Sequence, residues 1–220
     1  MDFRSTLSLV WREVSVANQL GIGSMHNCVD DLLILHRFDL CGRPARAPVI
    51  RSVIWSPPAP GWIKVNTDGA ALSSPGVGGY GGVFRNSRAF VKGCFVVPFS
   101  QVFAFEAELL TASMAINFAW QNGWHRIWLE SDSSYVVQLL SSRSKQVPWR
   151  IRQAWQCCIY QISMMEFHVS YIFREGNQVA DALSKHALGL EVNSWWATSP
   201  SFCSLLVRND GMGRESFRFT

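Results

Sequence analysis

The stretch Trp62-Ile63-Lys64-Val65-Asn66-Thr67-Asp68-Gly69 decides the fold of this chain. Its large apolar residues alternate with polar ones, which is the pattern of a β-strand. Asp68 ends the run and is followed by Gly69, so its carboxylate can project beyond the edge of a sheet. An acidic residue in a strand-terminal turn is common, and Asp68 alone does not indicate a function. A carboxylate beside an apolar run is nevertheless costly unless it is paired or binds a metal.

The segments downstream of this strand alternate between strand and helix patterns. Gly69 to Gly79 is a turn rich in small residues, and two β-rich runs follow it, Gly79 to Arg85 and Ala89 to Val97. Residues 101–122 change to helical spacing and are apolar over much of their circumference, which is typical of a helix packed inside a protein. The remaining predicted elements are a strand at 127–132, helices at 133–140 and 149–162, a strand at 166–173 and a helix at 177–188.

The order of these elements, βββαβααβα, predicts an α/β fold. The last two strands follow helices, and such crossovers place them parallel to the first strand. We therefore expect a five-stranded mixed sheet with helices on both faces. Residues 55–188 should form this domain, and residues 189–220 a C-terminal tail. Residues 1–54 are a poorly patterned N-terminal extension, in which Val29 to Leu35 indicates a short helix.

The composition sets broad limits on the class of protein. The chain has 220 residues, 48% of them hydrophobic, and a formal net charge of +4. This is enough apolar material for one sizeable core, and the mild positive charge is compatible with nucleic-acid binding without requiring it. The six cysteines show no Cys-x-x-Cys pair and no zinc spacing, which favours reduced thiols. We find no secretory signal and no apolar run of about 18 residues, so we expect an intracellular protein of nucleus or cytoplasm, no membrane association, and a monomer.

Four acidic residues, Asp68, Glu108, Asp132 and Asp181, lie in separate segments that this fold would bring together. Each has an ordinary explanation: a turn for Asp68, a solvated helix face for Glu108 and Asp181, and a helix N-cap for Asp132. Asp68 and Asp132, however, fall at the same edge of neighbouring parallel strands, where ligands bind in open sheets. Converging carboxylates repel one another without cations, and Mg²⁺ prefers hard oxygen ligands. Two such ions about 4 Å apart would suit phosphodiester cleavage.

Five blocks of residues resemble the ribonuclease H-like proteins in order and spacing, and most of all the plant, retroelement-derived ribonuclease H domains. The blocks are Trp55-Ser56-Pro57-Pro58 with Gly61 to Ala70; Gly78-Gly79-Tyr80-Gly81-Gly82-Val83-Phe84-Arg85; Glu106-Ala107-Glu108-Leu109; Leu129-Glu130-Ser131-Asp132-Ser133; and Arg174-Glu175-Gly176-Asn177 with Ala180 to Ser184. No single block is decisive, but the ordered set over residues 55–188 is highly specific.

The resemblance implies hydrolysis of the RNA strand of RNA–DNA hybrids by metal-activated water, leaving 3′-hydroxyl and 5′-phosphate ends. Carried over by position, Asp68 would bridge two Mg²⁺ ions, for which Mn²⁺ could substitute. Glu108 and Asp132 would hold the ion near the leaving 3′ oxygen, and Asp181 would help to hold the ion that activates the water. The implied partner is the hybrid, and the expected substrate-binding residues are Gly69, Ser74, Gly76, Arg174 and Asn177.

The sequence departs from the bacterial members of this family at several positions. Ser74 stands where they carry Asn, and Val102-Phe103-Ala104-Phe105 offers no side-chain amide before the helix acid. The loop before Asp181 lacks their mobile His, and the short segment Ser141 to Val147 replaces their basic handle. These departures favour a second hypothesis, a catalytically weak or inactive nucleic-acid-binding domain derived from a retroelement. An exonuclease of the same fold is less favoured, because Ala70 stands where an Asp-x-Glu pair would have its second acid.

Overall fold

A computed structural model describes residues 2–21, 23–26, 28–43, 47–73 and 75–219. The chain divides into two compact units, Met1–Val49 with Phe219–Thr220, and Ile50–Arg218. Among the described residues, no helix is both long enough and apolar enough to cross a membrane.

The first unit contains two helices, α1 (Phe3–Leu20) and α2 (Val29–Arg37). Helix α2 covers the apolar stretch for which a short helix was predicted, and acidic residues in its first turn and basic ones in its last turn complement the helix dipole. Helix α1 was not predicted, although Leu7, Trp11 and Val14 recur at helical spacing. Trp11 meets Phe38 at the end of α2, with ring centroids 5.0 Å apart.

The second unit contains the remaining helices and strands. Its elements in chain order are β1 (Ile50–Val53), β2 (Ile63–Ala71), β3 (Gly76–Arg85), β4 (Val91–Val102), α3 (Ala104–Gln121), β5 (Arg126–Ser131), α4 (Ser134–Ser141), α5 (Arg152–Ser163), β6 (Glu166–Tyr171), α6 (Gln178–Ala187), β7 (Ser194–Trp196), α7 (Ser204–Gly211) and β8 (Ser216–Phe219). Short 3₁₀ turns precede α5, α6 and α7. The predicted order βββαβααβα is therefore confirmed from β2 to α6.

The main sheet has the strand order β6-β5-β2-β3-β4-β7. Strand β2 pairs parallel with β5 and antiparallel with β3, and β5 pairs parallel with β6. The mixed sheet with the predicted parallel strands is confirmed, but it has six strands because β7 of the tail adds to β4. Three residues carry too little alternation to predict a strand, and Trp195 opposite Phe95 instead extends the sheet through aromatic packing.

The core occupies both faces of this sheet, as predicted. Residues of α3, α4 and α5 pack on one face with Val65 and Phe84. Residues of α6 pack on the opposite face with Val83 and Cys94, and Cys203 of the tail joins them. Val83 and Phe84 are neighbours in β3, and their side chains pack into the cores on opposite faces of the sheet, because side chains alternate along a strand.

Helix α6 lies unusually close to the sheet because β3 presents glycines beneath it. A Cβ on Gly81 would lie 2.6 Å from the carbonyl carbon of Leu183, and one on Gly79 would lie 2.8 Å from the Cβ of Ala187. Either contact is closer than real Cβ atoms allow, so only glycine permits this approach. The approach carries Asp181 and Ser184 to the strand that holds Asp68.

Candidate metal centre

Two of the acidic side chains come from neighbouring parallel strands. Asp68 lies in β2, three residues before the strand ends at Ala71, so the strand runs further than its pattern predicted. Asp132 directly follows β5. Ser133, and not Asp132, caps α4 by accepting a hydrogen bond from the amide of Val136. The carboxylate of Asp132 is therefore free of the capping role that was its ordinary explanation.

Glu108 reaches the same place from helix α3 because Gly69 lets the helix approach. A Cβ on Gly69 would lie 2.6 Å from the carbonyl carbon of Ala107 and 2.7 Å from the amide nitrogen of Glu108. The amide of Gly69 donates a hydrogen bond to Oε2 of Glu108 at 3.2 Å. Gly69 was predicted to touch the substrate, and its observed contacts are with the helix that delivers Glu108.

Asp68, Glu108 and Asp132 each offer an oxygen atom, and these oxygens all lie within 4.8 Å of one another. The fourth predicted acid, Asp181, is outside this group but lines the same cavity, whose volume is about 410 Å³. Arg174 and Lys185 also line it. The structure thus places all four predicted acids at one cavity. Oxygens of three of them lie close enough to one another to bind the same metal ion.

Burial makes the three clustered carboxylates hard to ionise. Burial, followed by the charge of neighbouring acids, raises the pKa of Glu108 to about 9. Burial also raises the pKa of Asp68 to about 6, against a hydrogen bond that Ser184 donates to it. The pKa of Asp132 is raised by burial too, against a hydrogen bond from Asn177. A divalent cation among them would favour their charged forms.

Asp181 has a different environment from the other three acids. It accepts hydrogen bonds from Nη2 of Arg174 at 2.9 Å and from Nζ of Lys185 at 2.6 Å. Burial opposes its ionisation, but these two cations outweigh burial and lower the pKa of Asp181. Its charge is therefore already compensated by the protein, and its role as a metal ligand stays a prediction.

Asn177 and Arg174, both expected to bind substrate, differ in exposure. The side chain of Arg174 is 68% exposed at the rim of the cavity. Asn177 is 1% exposed, and its amide donates to Oδ1 of Asp132 and to the carbonyl of Thr67, both at 3.0 Å. This geometry makes Asn177 a positioning residue for Asp132. A contact of either residue with substrate stays a prediction.

The other two expected substrate-binding residues are Ser74 and Gly76. Ser74 is outside the described residues. Gly76 begins β3, where a Cβ would lie 2.8 Å from the amide nitrogen of Ser73. Its lack of a side chain is thus required by the tightness of the turn itself.

A buried polar network behind the site was missed in the sequence. Nζ of Lys64 lies 3.0 Å from Glu130 with both side chains almost fully buried. Asn66 donates to Glu130 at 3.1 Å and to Asn177 at 3.2 Å. The hydrogen bonds therefore run without a break from Lys64 to Asp132. The alternation of polar residues in β2 places these side chains on one face of the strand, but alternation alone does not show that this face is buried.

Ser184 is the second residue that sequence reasoning passed over. Its hydroxyl donates to Oδ2 of Asp68 and to the carbonyl of Asp181. The signal was its spacing three residues after Asp181, which puts both residues on one face of a helix.

Comparison with known proteins places this geometry in a family. A model of the reverse transcriptase-like family matches residues 66–187, which include all four acids. A curated Arabidopsis thaliana protein, provisionally named a ribonuclease H protein, is 31% identical over 169 residues, which is 75% of this chain and 27% of that protein. The chain thus spans about a quarter of the length of this curated relative.

Solved structures of ribonucleases H share the fold at low sequence identity. RNase H1 of Halobacterium salinarum is 21% identical with a TM-score of 0.53, over 58% of this chain and 97% of that one. The N-terminal RNase H domain of a Mycobacterium tuberculosis protein is 21% identical with a TM-score of 0.54, over 58% and 93% of the two chains. A compost-derived RNase H1, solved in complex with an RNA/DNA hybrid, is 19% identical with a TM-score of 0.52, over 57% and 96%.

Proposed function

Because the chain belongs to the reverse transcriptase-like family of ribonuclease H-like proteins, we propose that it hydrolyses the RNA strand of RNA–DNA hybrids as a metal-dependent endonuclease. The observation that carries this proposal is the convergence of Asp68, Glu108 and Asp132, with oxygens within 4.8 Å of one another. Among the described residues, none of the three forms an ion pair. Buried carboxylates without a cation are unfavourable, so a ligand that supplies positive charge explains their placement.

The donor set fits a hard divalent cation. All three groups are carboxylates, which Mg²⁺ and Mn²⁺ accept and soft metals do not favour. The raised pKa values of Asp68 and Glu108 follow from burial and from the charge of neighbouring acids, and a bound divalent cation would favour the charged forms. We propose two Mg²⁺ ions, which Mn²⁺ can replace. When bound, such a pair supplies an activated water and stabilises the leaving oxygen.

We propose for each acid the role that the resemblance to ribonuclease H-like proteins implies. Asp68 lies on the central strand, and its charge interacts with both Asp132 and Asp181, so it is placed to contact both ions. Glu108 and Asp132 complete the three-oxygen group and would hold the ion on the side of the leaving 3′ oxygen. Ser184 and Asn177 hold Asp68 and Asp132 by hydrogen bonds, so the carboxylates are oriented before a ligand arrives.

Asp181 would act on the side of the attacking water. Its carboxylate is shared between Arg174 and Lys185, so direct contact with an ion requires one of these cations to move away. Both cations are more than half exposed and can instead meet a phosphate of the substrate. Substrate binding would then free the carboxylate of Asp181 to join the other three acids as a metal ligand, which would link nucleic-acid binding to completion of the site.

Recognition of the hybrid would rest on shape more than on base sequence. An enzyme that selects RNA must sense 2′-hydroxyls across a shallow minor groove. The segment from Ala70 to Gly78 consists largely of small residues beside the acidic cavity, which allows close approach of a backbone. The compost-derived RNase H1 was solved with an RNA/DNA hybrid, and we propose the same class of partner here.

The test is cleavage of a hybrid whose two strands carry different fluorescent labels. With Mg²⁺ or Mn²⁺ the RNA strand should be cut internally, its fragments should end in a 3′-hydroxyl that a polymerase extends, and double-stranded DNA should stay intact. EDTA should abolish cutting. Absence of cleavage with both metals, in a protein shown to be folded, would reject the proposal.

A second candidate function is nucleic-acid binding without hydrolysis. The observation that favours it is the double ion pair of Asp181, which occupies the fourth acid. Such a domain, derived from a plant retroelement, would bind a hybrid with similar affinity with or without metal and leave both strands intact. The same labelled hybrid distinguishes the two functions, because binding is measured by anisotropy and cutting by strand length.

We propose that the working domain of residues 55–188 depends on its tail. Arg85, which is almost fully buried, pairs with Asp210 of α7 at 2.6 Å. Arg218 of β8 lies 3.3 Å from Glu175 and stacks on Phe173, with 4.8 Å from its guanidinium carbon to the ring centroid. The first contact joins α7 to β3, and the contacts of Arg218 hold the turn that carries Arg174 and Asn177.

A further inference from the structure

A second cavity, of about 290 Å³, lies between β3, β4 and the helices α3 and α5. Its lining includes Tyr80, Phe99, Glu106, Leu110, Met114 and Arg150, and it shares no lining residue with the acidic cavity. Pockets that take drug-sized ligands begin at about 300 Å³. This cavity is therefore of a size for a single small ring system.

Two polar groups line this cavity, and the hydroxyl of one of them has no hydrogen-bond partner among the described residues. Tyr80 is 2% exposed, and its hydroxyl has no partner among the described residues. Glu106 is 4% exposed, and its nearest cation, Arg150, lies 3.9 Å away, which is beyond hydrogen-bond distance. A buried polar group without a partner is unfavourable, and Tyr80 and Glu106 both line the cavity.

The two groups offer complementary chemistry. Burial, and then the negative charge of Glu106, raises the pKa of Tyr80 above its ordinary value, so its hydroxyl stays protonated and donates. The carboxylate of Glu106 accepts, and it can accept two neighbouring N–H groups at once. A ligand that fits both must present one acceptor beside two donors on one edge.

The walls of the cavity favour a flat ring. Leu110 and Met114 supply apolar surface from α3. Phe99, which is 44% exposed, lies at the surface end and stacks against Tyr80 with a centroid distance of 5.7 Å and an interplanar angle of 27°. Aromatic faces of this kind bind the faces of nucleobases.

We propose that this cavity binds a guanine base, with Glu106 accepting from N1–H and the 2-amino group and Tyr80 donating to O6. Guanine is the nucleobase whose edge presents an acceptor followed by two donors. Adenine and cytosine place a ring acceptor next to their amino group, and uracil has one N–H between two carbonyls. A carboxylate beside a hydroxyl donor therefore discriminates for guanine and leaves groups unpaired with the others.

The guanine can come from a free nucleotide or from an unpaired position in a nucleic-acid strand. Tyr80 lies opposite Gly69 in the β2–β3 pair, and Glu106 is two residues before Glu108 on α3. The cavity is thus lined by α3, the helix that also carries Glu108 of the acidic site, and by β3, the strand that pairs with β2. Arg150, 43% exposed at the rim, can meet a phosphate in either case. The inference stands whether or not the acidic site cuts.

The first experimental arm measures the binding of guanosine 5′-monophosphate to the full chain by calorimetry. The buffer contains EDTA, so that the phosphate cannot bind through a metal ion at the acidic site. We expect binding to be tightest for this nucleotide. Inosine 5′-monophosphate, which lacks the 2-amino group, should bind about tenfold more weakly, and the adenosine analogue more weakly still. Equal affinity for the guanosine and adenosine nucleotides, or no binding of the guanosine nucleotide to the folded chain, would overturn a free-nucleotide site.

Two variants and one control test the residues. Tyr80→Phe and Glu106→Gln should each lower the affinity for guanosine 5′-monophosphate at least about tenfold. The control Glu215→Gln, at an exposed glutamate, should leave this affinity unchanged. Tyr80→Phe removes a hydroxyl that has no partner, so it should not lower the melting temperature. Unaltered affinity in both variants would show that the nucleotide binds elsewhere and would overturn the assignment.

The second arm identifies the source of the base. A single-stranded RNA with one guanine is compared with the same strand carrying inosine there, again in EDTA. A preference for guanine that Glu106→Gln abolishes assigns the cavity to a base of the strand. No preference, with binding in the first arm, assigns it to the free nucleotide. Failure of both arms overturns the proposal, and it leaves the cleavage assay of the acidic site unaffected.

Discussion

Glu108→Gln provides the sharpest test of the charge repulsion among the clustered acids. The variant should be more stable than the wild type without metal and less stable than the wild type with bound metal. The folded-state pKa of Glu108, about 9, lies above its ordinary value of 4.5. A raised carboxyl pKa means that the folded state binds the proton more tightly than the unfolded state does. The contribution of Glu108 to the free energy of unfolding is therefore highest below its ordinary pKa and falls as the pH rises toward about 9.

The magnitude follows from this window. At pH 8, about 3.5 pH units above the unfolded value, the loss at about 1.4 kcal/mol per unit would approach 5 kcal/mol. Glu108 is only partly buried, so solvent screening reduces this figure, and we expect about 2 kcal/mol. Glutamine keeps an oxygen that can accept from the amide of Gly69 and removes the charge. Without metal, Glu108→Gln should therefore be more stable than the wild type by about 2 kcal/mol at pH 8 and equal to it near pH 4.

Bound metal should make the wild type more stable than Glu108→Gln. A cation at a hundred times its dissociation constant stabilises the wild type by about 2.7 kcal/mol, whereas the variant has lost a ligand and gains much less. Urea unfolding at pH 4, 6 and 8, in EDTA and in Mn²⁺, measures both effects. A variant that is no more stable than the wild type in EDTA at pH 8, or that gains as much from Mn²⁺, would refute the reasoning.

Three further substitutions test the surroundings of the site. Asn177→Ala removes a donor to a ligand carboxylate, and it should weaken Mn²⁺ binding by about 10–100-fold in calorimetry; unchanged affinity would contradict its positioning role. Asp210→Asn leaves the buried charge of Arg85 without its partner, so urea unfolding should show a loss of about 3 kcal/mol, and a loss below about 0.5 kcal/mol would argue against a buried pair. Lys185→Met should strengthen Mn²⁺ binding by freeing Asp181, whereas weaker binding would show that the lysine supports the site.

Much of the fold could be predicted because its information is local. The alternation around Val65 and the helical spacing of residues 101–122 each report a buried face, and the order of strands and helices then constrains the sheet. The four acids were found because strand ends and helix faces converge in this topology. Prediction of Asp68, Glu108 and Asp132 as neighbours agrees with their oxygens lying within 4.8 Å.

What escaped prediction depends on contacts between distant segments. Strand β7 exists because Trp195 packs against Phe84 and Phe118, with centroid distances of 5.9 and 5.2 Å, and three residues alone carry no such signal. Of the two cations that pair with Asp181, Arg174 comes from the loop before α6, whereas Lys185 lies four residues after Asp181 along α6, a helical spacing that the sequence itself shows. Gly69 was expected to bind substrate because of the family resemblance, and that contact stays a prediction; the packing of α3 against Gly69 is visible only in three dimensions.

The most direct measurement of the central claim is the single-turnover rate of RNA cleavage in a hybrid, at saturating Mg²⁺, for the wild type and for Asp68→Asn. We predict that the wild type cuts the RNA strand alone. We expect the variant, with its fold intact by circular dichroism, to lose at least about a thousandfold in rate, which corresponds to about 4 kcal/mol of transition-state stabilisation. Glu191→Gln, at an exposed glutamate, should cut at the wild-type rate. A wild type that leaves the RNA intact, or an Asp68→Asn variant that keeps most of its rate, would contradict the account.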